Sequence, residues 1–273
     1  MRFCTETMTG QRVEVAGVRW FYHTEGDGDP IVLLAGFPTT SYLWRKSIPV
    51  LARKRWVIAP DLPGWGDSDQ PQSFSYRVSD LAAALSSFLE TLEVKTYSLV
   101  LHGYSVPLGL ELLSQNPKRI TSLALISPWC SVGEKLPSIW QLLQVPLLGE
   151  MLAQDPINVD RVIEAGLVYQ LPLPDLAQYR APYLASSMAG RALTRTIRNL
   201  NKATLAQAER NLASISCPTL VIGGEKDRWI KKAEEVSKRL KDSTFLSYPD
   251  ARHFISEDQP DQLSQDLLRF FVT

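Results

Sequence analysis

Short β-branched apolar runs alternate with amphipathic stretches through the first and last parts of this chain, and the alternation stops only between Ser127 and about Ile215. Such a pattern specifies a mostly parallel sheet with helices on its faces, because buried strands must be covered by amphipathic crossovers. Arg12–Val15 and Val18–Thr24 read as two antiparallel opening strands, with Ala16-Gly17 as their turn. Further strands fall at Ile31–Leu34, Arg55–Ala59, Tyr97–Leu101 and Ile120–Ile126, and helical patterns at Tyr42–Ala52, Ser79–Leu92 and Tyr104–Gln115. After the interruption, strands return at Pro218–Gly223 and Thr244–Tyr248, with helices at Lys231–Leu240 and Pro260–Phe271. Inside it, Pro128, Pro137, Pro146, Pro156, Pro172, Pro174 and Pro182 separate short helical patterns. The simplest organisation is an eight-stranded α/β core, residues 1–127 and 216–273, with a helical cap, residues 128–215, inserted after the sixth strand. A cap there sits over the C-terminal strand ends, where open α/β sheets bind ligands.

Composition narrows the function. The 273 residues carry 29 basic and 29 acidic side chains, which gives no electrostatic reason for a nucleic-acid or acidic-membrane partner. At 45% hydrophobic residues the chain can build a full core. No apolar run approaches the roughly 18 residues of a membrane span, and Met1–Glu6 lack the apolar stretch of a secretory signal. Cys4, Cys130 and Cys217 show neither disulfide nor metal spacing. These features point to reduced thiols in a cytoplasmic protein without metal or cofactor. Composition is silent on oligomeric state.

Four segments after strands carry the chemistry. They are Leu34-Ala35-Gly36-Phe37-Pro38-Thr39-Thr40-Ser41-Tyr42-Leu43-Trp44-Arg45, Asp61-Leu62-Pro63-Gly64-Trp65-Gly66-Asp67-Ser68-Asp69, His102-Gly103-Tyr104-Ser105-Val106-Pro107, and the pair Gly223–Asp227 with Asp250–Phe254. The glycine-bearing loop at Asp61 is no phosphate cradle, since no Lys-Ser/Thr follows in the required spacing. Together the segments resemble the α/β-hydrolase superfamily over nearly the whole chain, in particular its haloalkane dehalogenase and epoxide hydrolase branch. The order of elbow, cap, acid and histidine is the family's order. The cap run Asp175–Tyr183 is similar to a cap segment of the dehalogenases.

The resemblance implies a nucleophilic aspartate directly after His102, yet the chain has Gly103 there. His102 ends its strand as the family's histidine does, and Asn116-Pro117 follow at the family's distance, so no gap moves the register. Glycine adopts the strained elbow conformation with little penalty and leaves space above the turn for water or substrate. Ser105 is the alternative nucleophile, but reaching it moves the elbow two residues into the helix, and Pro107 replaces the last glycine of G-x-S-x-G.

The resemblance carries the general base to His253 and its acid to Asp227, a pair in which the carboxylate fixes the imidazole tautomer. It carries the oxyanion donors to the backbone N–H groups of Phe37 and Tyr104. Phe37 has no hydrogen-bonding side chain, which argues against a halide site, and Ala35 replaces the family's common histidine. Tyr169, Tyr179 and Tyr183 are cap candidates for protonating an epoxide oxygen. Gly103, Tyr104, Phe37, Ser105, Trp129 and Tyr183 make up the expected substrate-binding set. The apolar cap, with Trp129, Trp140, Leu142, Leu143, Leu147 and Leu148, points to a small or medium hydrophobic substrate. The expectation is therefore an enzyme without a covalent nucleophile, performing direct hydrolysis, elimination, isomerisation or cyclisation with His253 and Asp227. Two alternatives stand beside it: a serine-type hydrolase using Ser105, and an inactive ligand-binding relative.

Overall fold

The computed structural model describes residues 10–134, 136–153 and 155–272. Cys4 and the segment Met1–Glu6 lie outside them. Among the described residues eight strands form one sheet: β1 (Gly10–Val15), β2 (Val18–Glu25), β3 (Pro30–Leu34), β4 (Trp56–Pro60), β5 (Tyr97–His102), β6 (Ile120–Ile126), β7 (Thr219–Gly224) and β8 (Ser243–Tyr248), in the order β1-β2-β4-β3-β5-β6-β7-β8. β1 and β2 form the opening hairpin, β2 pairs antiparallel with β4, and all other neighbours are parallel.

Strand side chains divide between two cores with period two, as a sheet covered on both faces requires. Val32, Leu34, Leu99, Leu101, Leu123 and Leu125 enter one core, and Ile31, Leu33, Val100, Ala124 and Ile126 the other. The helices in chain order are α1 (Ile48–Leu51), α2 (Val78–Thr91), α3 (Val106–Gln115), α4 (Ser138–Leu143), α5 (Leu148–Leu152), α6 (Ile157–Ala165), α7 (Leu173–Ala185), α8 (Ser187–Asn199), α9 (Lys202–Ala213), α10 (Ile230–Arg239), α11 (Ile255–Asp258) and α12 (Pro260–Val272). α2, α3 and α10 feed the first core, and α1 and α12 the second. Helices α4–α9 fill the interval between β6 and β7.

Two expected helices begin differently. The run Tyr42–Ala52 divides into a 3₁₀ turn, Ser41–Trp44, and the single turn α1. The run Tyr104–Gln115 opens with a 3₁₀ turn, Gly103–Ser105, before α3. Pro49 and Pro107 each lie in the first turn of the α-helix that follows. Proline has no N–H to donate and clashes with the preceding turn, so a helix can begin there but not run through. No helix among the described residues is long and apolar enough to cross a membrane.

Candidate active site

β5 is buried along its whole length and ends at the turn that carries Gly103. The Gly103 φ is +53°, a left-handed value that costs a residue with a Cβ about 1–3 kcal/mol. A Cβ added here would lie 2.9 Å from His253 Nε2 and 3.4 Å from its Cε1. The imidazole therefore stands over the bare backbone, closer than a side chain at position 103 would allow. The space expected above the turn is bounded by the imidazole itself.

His253 follows β8 and Asp227 follows β7, and the parallel pairing Gly224↔Tyr248 brings the two loops together. His253 Nδ1 hydrogen-bonds Asp227 Oδ2 at 3.0 Å, with both side chains buried. Asp227 Oδ1 accepts the Trp229 N–H at 3.1 Å. Burial disfavours the Asp227 carboxylate, but the hydrogen bond and charge of His253, with the Trp229 N–H, outweigh it and hold the carboxyl below its ordinary range.

Ser105 is turned the other way. Its Oγ accepts the His102 N–H at 3.0 Å and lies 3.1 Å from Leu34 O and 3.0 Å from His102 O. The hydroxyl stitches β3 to β5 beneath the turn, and among the described residues its bonds run to these backbone groups and not to His253. His102 presents Nε2 to His253 O at 3.0 Å, and Ser127 Oγ donates to the same carbonyl at 2.9 Å. Sequence reading missed Ser127, since a serine after a strand carries no distinguishing signal.

The loop after β3 folds back through Thr39, whose N–H and Oγ1 both bond Gly36 O, and contains a cis Phe37-Pro38 peptide. Phe37 stacks on Tyr104 with ring centroids 4.5 Å apart. Trp129 packs on Tyr104 at 5.0 Å and Trp140 on Phe37 at 6.0 Å. These aromatics are buried, and the Tyr104 hydroxyl and the Trp129 and Trp140 N–H groups have no partner among the described residues. Burial pushes the Tyr104 hydroxyl far above its usual range, so it is a donor and not a phenolate.

Tyr183 OH lies 3.4 Å from Pro38 O, beside this cluster. Tyr169 and Tyr179 do not join it. Their hydroxyls donate to Glu257 O at 2.7 Å and Glu257 Oε1 at 2.5 Å. Burial, then the Glu257 charge, pushes Tyr169 up to about 12. The expected apolar lining also needs correction. Trp129, Trp140 and Leu143 face inward, whereas Leu142, Leu147 and Leu148 are exposed. In the short α4, residues 140 and 143 share the inner face by their i, i+3 spacing. Leu142 turns outward, and Leu147 and Leu148 lie where the chain passes from α4 to α5.

Glu257, four residues beyond His253, also escaped the sequence reading. Its buried carboxylate accepts Arg45, Lys46 (2.9 Å) and Tyr179, joining the β3 loop, the His253 loop and α7. One acid within the apolar run His253-Phe254-Ile255-Ser256-Glu257 was its only sequence signal.

His102 predicts an acid response. Burial, then the neighbouring His253, lowers it to about 3. The unfolded chain binds this proton near pH 6.5 and the folded chain does not, so His102 removes stability as pH falls below about 6.5, by up to about 1.4 kcal/mol per unit. Asp61, which burial pushes up to about 6, acts with opposite sign between about pH 4 and 6. The contrast with a variant therefore isolates His102. His102→Gln should gain stability relative to the parent as pH falls from 6.5 to 4, measured by denaturant midpoints. A constant difference across that range would remove the buried neutral imidazole from the account.

Residues 29–260 match the α/β hydrolase fold family. The chain is similar to haloalkane dehalogenase 2 of Mycobacterium tuberculosis, 26% identical over 270 residues that cover 93% of this chain and 94% of that protein. It superposes on the haloalkane dehalogenase DbeA from Bradyrhizobium elkani with a TM-score of 0.89 at 24% identity, covering 97% of each chain. The epoxide hydrolase CorEH gives a TM-score of 0.82 at 22% identity, covering 97% of this chain and 98% of that one. Nearly the whole chain thus shares its fold with these proteins. Among the described residues no cluster of His, Cys, Asp or Glu is arranged to hold a metal ion.

Proposed function

The chain belongs to the α/β-hydrolase fold family, and from that premise we propose that it is an enzyme without a covalent nucleophile, in which His253 is the general base and Asp227 its orienting acid. The observation that carries this reading is the bare turn: Nε2 lies 2.9 Å from the Cβ that Gly103 lacks, while Nδ1 keeps its bond to Asp227. A base so placed removes a proton from a substrate carbon or hydroxyl, or from a water, and returns it to product. The backbone N–H groups of Phe37 and Tyr104 are the donors for negative charge that develops on a substrate oxygen. Direct hydrolysis, elimination, isomerisation and cyclisation all fit this inventory.

The buried aromatics favour a small or medium hydrophobic substrate. The unpartnered hydroxyl of Tyr104 and N–H groups of Trp129 and Trp140 favour one that also carries acceptor atoms, because buried donors lose free energy when left unmatched. Phe37, Tyr104, Trp129 and Tyr183 are its proposed contacts. The residues 128–215 act as a cap on the core in this reading.

The names of the relatives favour a second reading, a hydrolase that attacks through a side chain at the turn, for which Ser105 is the candidate. A fluorophosphonate probe followed by peptide mass spectrometry separates the two. No adduct at Ser105 is expected. Ser105→Ala is expected to keep turnover within about threefold while losing about 1–3 kcal/mol of stability, since buried backbone groups lose their partner. Covalent labelling of Ser105 together with loss of turnover in the alanine variant would install the second reading in place of the first.

A further inference from the structure

Glycine at the turn gives His253 Nε2 no side chain to hold it. Asp227 supplies the imidazole with one hydrogen bond, the rings of His102, Trp229 and Phe254 pack on it at 5.0–5.3 Å, and the backbone of its own loop sets where the residue starts. From the core side, His102 and Ser127 hold the His253 carbonyl. Besides the ion pairs of Glu257 with Arg45 and Lys46, further anchors come from the segment after α6, inside the helical insertion. Phe254 N–H donates to Gly166 O at 3.1 Å. Asp258 accepts Val168 N–H at 2.9 Å through one oxygen and Arg252 N–H at 2.8 Å through the other. Tyr169 OH reaches Glu257 O at 2.7 Å.

Gly166 lies against the loop that carries His253. A Cβ there would stand 2.5 Å from a Phe254 ring carbon and 3.4 Å from His253 Cβ. Its φ is −92°, which any residue can adopt, so glycine is needed for close approach and not for conformation. A Cβ at 103 would thus crowd the His253 ring directly, whereas one at 166 would strike the Phe254 ring beside it and reach only ordinary contact with His253 Cβ.

We propose that the cap seats the base: Gly166 is a positioning residue, and with Tyr169 and Asp258 it sets where the His253 imidazole lies above Gly103. The role deepens the reading of His253 as the base and rests on it. Movement of the segment after α6 is transmitted to the imidazole, so a ligand that draws the cap down also places the base. A displacement near 1 Å is enough to cost about 10²-fold in rate.

The test uses the full chain and Gly166→Ala, whose backbone is unstrained. The readout is the downfield proton NMR signal of the His253–Asp227 hydrogen bond, assigned by its absence in His253→Ala, with amide hydrogen exchange alongside. Gly166→Ala is expected to broaden or abolish that signal and to speed exchange in residues 166–169 and 252–258 together, with unchanged far-ultraviolet circular dichroism. Combining it with Phe254→Leu, which removes the ring edge the methyl meets, is expected to restore the signal. Tyr169→Phe keeps the packing and gives a milder change in the same direction, so the proposal stays testable if the alanine variant folds poorly. A retained downfield signal in Gly166→Ala overturns the proposal, as does faster exchange confined to residues 166–169. Parental turnover by His253→Ala is a separate outcome that sinks the base assignment itself.

Discussion

Gly103→Asp, the substitution that restores the residue the dehalogenase-like pattern implies, is expected to inactivate this protein. Three effects act together. A Cβ at 103 would stand 2.9 Å from His253 Nε2, so the imidazole must move off the turn. The +53° φ becomes a strained conformation costing about 1–3 kcal/mol. The new carboxylate also stabilises the imidazolium, which cannot accept a proton. Turnover of whichever compound in a panel of esters, epoxides and ketones the parent converts is expected to fall at least about 10²-fold, the scale of losing a placed general base. The thermal midpoint should fall with it. Gly103→Ala separates the causes, because it carries the displacement and the strain without the charge, and it should retain more activity than the aspartate. Turnover by Gly103→Asp at the parental rate, with the downfield His253–Asp227 proton intact, would show that the bare turn has no part in the reaction. Slow epoxide or haloalkane hydrolysis gained by Gly103→Asp while the parent's reaction is lost is the opposite result, and it supports the assignment of the turn.

The sheet was readable because strands covered on both faces appear as short continuous apolar runs. Ile31–Leu34 and Ile120–Ile126 agree with the observed elements to within a residue, since neither run has another way to bury its side chains. Gly103, Asp227 and His253 were singled out through the family resemblance of the segments after three strands, and the structure brings the three together. The failures have a common physical origin. Leu142, Leu147 and Leu148 were counted in an apolar cap from their hydrophobicity, but which side of a short helix or its connection is covered depends on packing from distant elements, and these three are exposed. Ser127, Gly166 and Glu257 act through partners 126, 88 and up to 212 positions away in the chain, and no local pattern encodes such meetings. The cap tyrosines illustrate the same limit. Their presence was legible, but the direction of the Tyr169 and Tyr179 hydroxyls toward Glu257 was not.

His253→Ala decides between an enzyme and a binding relative, and it is the variant with the largest expected effect. An imidazole held by a buried carboxylate is costly to maintain: Asp227 is desolvated and is kept ionised by the His253 hydrogen bond. A protein that only holds a ligand gains nothing from that pair, because the aromatic side chains beside it already supply the apolar contact. Removing the imidazole is expected to lower turnover by about 10²–10⁴-fold, the usual contribution of a positioned acid–base group. Affinity for the same compound, measured by isothermal titration, should change less than about threefold, because the proposed contacts of the ligand are Phe37, Tyr104 and Trp129. Asp227→Asn should approach the same loss of rate while leaving the imidazole in place, since the amide no longer selects the tautomer that presents a free Nε2. Conversion no faster than the uncatalysed rate in all three proteins would make the chain a binding relative, and equal turnover above that rate would remove the pair from the reaction. Lost affinity in step with lost turnover would make His253 a ligand contact, for then the imidazole would hold the ground state as firmly as the transition state.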